Sequence, residues 1–120
     1  MKPDVTIGMK NSMTHVVDEK HTTGHTNRAV LATPEMIGLI EWACLAVTQP
    51  YMENEATVGI HVCVSHESAV MIGESISIDV ELAEIDGRKM TFDVEVTGPR
   101  GRVSTGTHRR AVIPLPNGAA

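Results

Sequence analysis

Two hydrophobic rhythms divide the chain. From Ala29 to Met52 the apolar residues come in a nearly unbroken stretch that suits a helix. Thr33 is a favoured N-cap residue, Pro34 suits the first helical position and Glu35 the first turn. Pro50, which has no amide hydrogen to extend the ladder, marks the end. Beyond the helix the period falls to two. Val58, Ile60, Val62 and Val64 fall on one strand face, Ile76, Ile78, Val80 and Leu82 on a second, and Met90, Phe92, Val94 and Val96 on a third. Asp86-Gly87 is a hairpin signal, and Gly98-Pro99-Arg100-Gly101 turns the chain again. Arg102 to Ile113 reads as a last strand of less regular pattern, and Met13 to Asp18 as a weaker first strand. Lys20 to Arg28 is rich in Thr, Gly, His and Asn and reads as a loop.

This order predicts an α+β fold: one long buried helix and a curved antiparallel sheet of about five strands. The 120 residues suit a single domain over 1–120, with loose ends at 1–11 and 115–120. A sheet wrapped halfway round one helix leaves open edges and a bare helix flank. Dimerisation is the expected remedy.

Composition narrows the function classes. A formal net charge of −5 argues against nucleic-acid binding. Arg88, Lys89, Arg100, Arg102, Arg109 and Arg110 all fall in the C-terminal third, either as solvated hairpin tips or as a patch for phosphates. Cys44 and Cys63 sit in apolar runs without metal or disulfide spacing, so a reduced, cytoplasmic chain is the expectation. The first ten residues lack the apolar core of a signal peptide, and no stretch reaches membrane-spanning length.

The candidate chemistry begins at Glu41, the only charged residue between Met36 and Val47. A carboxylate in a buried helix costs several kcal/mol unless paired, hydrated or protonated, on the order of a broken buried ion pair. His66 continues the alternation of Val58, Ile60, Val62 and Val64, which puts an imidazole at the end of the face that packs on the helix. Each group supplies the partner the other needs. Thr33 lies about two turns from Glu41, roughly 12 Å along the axis, and its hydroxyl can cap the helix and still donate a proton. The plain alternatives are a rim carboxylate, a strand-end histidine and an ordinary cap. Six histidines raise zinc, but His21 and His25 do not share a helix and no third ligand has the right spacing, so no metal is expected. Ser65 lacks the flanking glycines of a nucleophile elbow.

Ala32-Thr33, Gly38-Leu39-Ile40-Glu41-Trp42-Ala43-Cys44 and Pro50-Tyr51 closely resemble the helix of the fluoroacetyl-CoA thioesterase family. Gly59, Cys63-Val64-Ser65-His66, Gly106-Thr107-His108 and Arg110-Ala111-Val112-Ile113 extend the likeness over most of residues 12 to 114. The resemblance implies a hotdog fold, a homodimer with acyl pockets at the subunit interface, catalytic Thr33, Glu41 and His66, and an active-site glycine at Gly59. Coenzyme A is then part of the substrate and no separate cofactor is needed. Arg110 and its neighbours are assigned to the coenzyme A phosphates. The fluoroacetyl-specific members carry phenylalanines just before the helix, whereas Gly24 to Arg28 holds no aromatic residue. Thioester hydrolysis is therefore the expected activity, of a small or medium acyl group. In one wiring Thr33 attacks and His66 takes its proton while Glu41 holds the imidazole. In the other Glu41 attacks or activates water, and Thr33 positions the thioester. A non-catalytic hotdog module that binds an acyl thioester or lipophilic ligand, and a hydroxyacyl-thioester dehydratase, are the alternatives.

Overall fold

A computed structural model describes residues 3–22 and 29–116. Strand β1 (Lys10–Val16) precedes a short 3-10 turn and helix α1 (Thr33–Thr48). A second 3-10 turn (Gln49–Tyr51) then leads to β2 (Glu55–Val64), β3 (Ser75–Asp86), β4 (Lys89–Gly98) and β5 (Gly101–Pro114). All pairings are antiparallel, in the spatial order β1-β3-β4-β5-β2. The sheet curls into a half-barrel around α1. Among the described residues no helix is long and apolar enough to cross a membrane.

The alternating strands behave as their pattern requires. Ile76, Ile78, Val80 and Leu82 of β3 and Met90, Phe92, Val94 and Val96 of β4 are all buried. They form the floor on which Met36, Ile40, Ala43, Cys44 and Val47 of α1 rest. Asn11 of β1 donates to the Ala43 carbonyl at 3.1 Å, tying the outermost strand to the middle of the helix.

Several expectations are corrected. The chain from Val5 onward is anchored rather than loose: Val5 is buried, and Gly8 donates its amide to the Leu82 carbonyl at 2.8 Å. Strand β1 accordingly starts at Lys10, three residues before the expected Met13. At the other end Leu115 donates to the Asn54 carbonyl at 2.9 Å. The tail beyond Pro116 and the loop over 23–28 lie outside the described residues. Helix α1 is not covered all round. Its buried stripe leaves Trp42 63% exposed and Glu41 only half-buried. Ala32, not Thr33, is the N-cap, so the Thr33 hydroxyl is not spent on a helix amide.

The largest departure is in β2. Its register against β5 shifts between Gly59 and His61, so Ile60 is an extra residue without a partner. Such a bulge reverses which residues face inward. Before it, Thr57 and Gly59 face the core opposite Val112 and Arg110. After it, Val62 faces inward opposite His108, and Val64 packs against the core. Val58 and Ile60, expected on the inner face, are instead 40% and 45% exposed.

Candidate active site

Two polar clusters lie along α1. The first is at its start. Beyond Val64 the chain stays fastened to β5, because Ser65 donates its amide to the Thr105 carbonyl at 3.0 Å and Glu67 donates to the Val103 carbonyl at 2.6 Å. Glu67 is also paired with Arg102 at 3.1 Å and accepts from the Ser65 hydroxyl at 2.6 Å. His66 is held between these anchors. Its Nδ1 lies 2.8 Å from Thr33 Oγ1. Partial burial lowers the His66 pKa from its ordinary 6.5, so the ring is neutral at pH 7. In the tautomer with its hydrogen on Nε2, the neutral ring accepts at Nδ1 and the threonine hydroxyl donates. The pair opens onto a cleft of ≈ 290 Å³ lined by Val30, Leu31, Thr33 and residues 66–69. The free amides of the first helical turn face the same end of α1 and favour negative charge there.

The second cluster lies deeper, where Glu41 meets β5. A Cβ on Gly59 would fall 3.1 Å from His108 Cε1, 3.3 Å from Glu41 Oε2 and 3.6 Å from Arg110 Nη1. A side chain there would crowd His108 and Glu41, and glycine leaves both where they are. Arg110 donates through Nε to Thr57 Oγ1 and through Nη2 to the Thr57 carbonyl, both at 2.9 Å. Its Nη1 donates to His108 Nε2 at 3.1 Å. Burial pushes the Arg110 pKa down, and the nearby Glu41 carboxylate opposes that. Cys44, one helical turn from Glu41, has its thiol pushed up to about 12 by burial, which makes it an inert core residue.

The structure thus places Thr33 with His66 at the exposed start of α1 and Glu41 near Gly59, and pairs them differently from the sequence expectation. His66 bonds Thr33. The imidazole that feels the Glu41 charge is His108, which the sequence reading did not single out as a site residue. Arg110, expected to meet the coenzyme A phosphates, is only 5% exposed, and its guanidinium is held by Thr57 and His108. Arg88 pairs with Glu55, Arg100 with Glu74 and Arg102 with Glu67. A signal for His108 was present. Counting back by twos from the apolar Val112 places Arg110 and His108 on the same inner face.

One helix held by a curled five-stranded antiparallel sheet is the hotdog architecture. Solved structures agree. A hypothetical protein from Thermus thermophilus, a thioesterase superfamily member, matches with a TM-score of 0.83, covering 93% of this chain and 86% of that one at 19% identity, a likeness of fold alone. The chain belongs to the fluoroacetyl-CoA-specific thioesterase family, whose model matches residues 9–115. The curated fluoroacetyl-CoA thioesterase of Streptantibioticus cattleyicolor is 38% identical over 87 residues, 72% of this chain. That match spans 63% of the relative's own length. A solved structure of fluoroacetyl-CoA thioesterase is 31% identical with a TM-score of 0.86, covering 92% of this chain and 90% of that one. A variant of the fluoroacetyl-CoA-specific enzyme solved with fluoroacetate and CoA has a TM-score of 0.87 at 31% identity, covering 92% and 97%.

Proposed function

We propose that this chain is an acyl-CoA thioesterase and that Thr33 and His66 carry its first chemical step. The observation behind this reading is the 2.8 Å contact between Thr33 Oγ1 and His66 Nδ1 at the start of α1. A threonine hydroxyl is a weak nucleophile until an adjacent base takes its proton. His66, kept neutral by burial, is that base. Thr33 Oγ1 attacks the thioester carbonyl as its proton passes to Nδ1. The oxyanion forms beside the helix-start amides, which are already oriented for negative charge. When the intermediate collapses, the C–S bond breaks, and the imidazolium returns the proton to the departing sulfur. Water, deprotonated by His66, then releases the acid from the acyl-threonine.

Glu41 is the third member of the proposed site. It lies about two turns along α1 from Thr33, so it acts on the acyl end and its water rather than on the Thr33 proton. Arg110 supplies the countercharge that a half-buried carboxylate requires. The family relationship and the coenzyme A complex of a relative support an acyl-CoA substrate. The proposed assembly is a homodimer joined through the β2 edge. There Val58 and Ile60 are exposed beside an unpaired strand, and Trp42 is bare on the helix. A reduced cytoplasmic setting fits the free thiols of Cys44 and Cys63.

The test is a panel of acyl-CoAs, fluoroacetyl-CoA included, with release of the free thiol followed by a trapping reagent. Thiol release from at least one member is expected, with about a 100-fold loss in Glu41→Gln. Tight binding without release on every member would support the non-catalytic module, and an enoyl product without free thiol the dehydratase.

A further inference from the structure

His108 is a fully buried titratable group that the hydrolytic step does not use. Both of its ring nitrogens have partners, and the chemistry of those partners fixes its state. Arg110 Nη1 can only donate, so His108 Nε2, at 3.1 Å, must offer a lone pair. The His61 carbonyl can only accept, so His108 Nδ1, at 2.9 Å, must carry the hydrogen. The ring is therefore neutral and of one tautomer. Burial and the Arg110 charge both disfavour its protonation, against the His61 carbonyl and Glu41.

The groups around it come from three elements: Arg110 from β5, Glu41 from α1, and His61 from the bulged stretch of β2. Thr57 grips the guanidinium through Nε and Nη2, and His108 grips the remaining nitrogen, Nη1. With all three nitrogens engaged, the guanidinium plane has one orientation, beside Glu41 and behind Gly59.

We propose that His108 is a positioning residue, whose Nε2 lone pair fixes the Arg110 guanidinium beside Glu41 at the back of the acyl site. Its effect on turnover rests on the thioesterase reading above; the fixing of Arg110 does not. His108 also links the strand edge to the site, because the carbonyl it holds belongs to His61, next to the unpaired Ile60.

Two substitutions divide the roles of the ring. His108→Gln places an amide oxygen near the Nε2 position and can still accept from Arg110. His108→Asn places an amide nitrogen near the Nδ1 position and can still donate to the His61 carbonyl, but it leaves Nη1 without an acceptor. Two readouts apply: the Arg110 Nε–H resonance and its exchange with solvent, and kcat/KM on the best acyl-CoA of the panel. The expected result is a protected Arg110 resonance in the Gln variant with kcat/KM within about threefold of the parent. In the Asn variant the resonance is lost and kcat/KM falls about tenfold, the worth of one hydrogen bond to a charged group. Equal behaviour of the two variants, or rescue by Asn alone, overturns the proposal. Should neither variant fold, nitrogen-15 shifts of the unsubstituted protein decide: a hydrogen on Nε2 of His108 overturns it, and a hydrogen on Nδ1 supports it. A protein that hydrolyses no thioester defeats the functional reading while the Arg110 resonance still tests the positioning.

Discussion

Thr33→Val is the most discriminating perturbation of the proposed site. Valine keeps the branched shape and removes only the hydroxyl. The structure assigns that hydroxyl one side-chain contact, to His66 Nδ1 at 2.8 Å, and no capping bond to the helix. If the hydroxyl merely holds the imidazole, its loss costs about 1 kcal/mol, roughly a fivefold drop in rate. If it attacks the thioester, the loss is about 1,000-fold or more, as for removal of a nucleophile. The two readings are separated by about two orders of magnitude. Thr33 is exposed, so the fold should lose less than about 1 kcal/mol, and denaturant midpoints should barely move. Thr33→Ser, which keeps the hydroxyl, should stay within about tenfold of the parent. Thiol release from acyl-CoA gives the rates. Rapid quench and mass measurement should show an acylated chain in the parent and none in Thr33→Val. A valine variant that still turns over within tenfold of the parent, with no acylated parent chain, would refute Thr33 as nucleophile and return the attack to water.

Gly59→Ala should cost about 1–3 kcal/mol in unfolding free energy and depress hydrolysis, because the new methyl meets His108 at 3.1 Å and Glu41 at 3.3 Å. A variant as stable and active as the parent would show that these side chains yield freely. The pH profile of kcat/KM should show an acidic limb below 6.5, where His66 takes a proton and ceases to be a base; a limb at or above that value contradicts burial as its tuning. Stability should follow the same direction. His66 and His108 both have pKa values lowered from 6.5 in the folded state, so the stabilisation is complete above that pH. It is lost as pH falls through the unfolded value toward the folded ones. Urea midpoints that rise on acidification would reverse that sign.

Much of the fold was legible because period and punctuation agree. Ile76 to Leu82 and Met90 to Val96 alternate without a break, Gly87 and the Pro99 turn close the hairpins, and all those inner residues are buried. The candidate residues were conspicuous in the sequence, but their contacts were not. Glu41 was conspicuous as a charge among aliphatics, yet a half-covered helix gave it a different imidazole from the one expected. The Ile60 bulge was invisible because Val58, Ile60, Val62 and Val64 alternate perfectly; only the register against β5 shows that they face different sides. The burial of Arg110 was hidden for a related reason. Arginine is so rarely buried without partners that a surface role was the default, and its partners Thr57 and His108 lie 53 and 2 residues away in the chain.

One unpaired residue in β2 also solves a problem of parity. Gly59 and His66 are an odd number of positions apart, so a regular ribbon would show one of them to the inner chamber and the other to water. Ile60 absorbs the mismatch and lets both serve the same side. Were Ile60 instead paired in register, the regular ribbon would turn Thr57 and Gly59 to the face opposite Val62 and Val64, so one residue decides which side chains share the inner face of this strand.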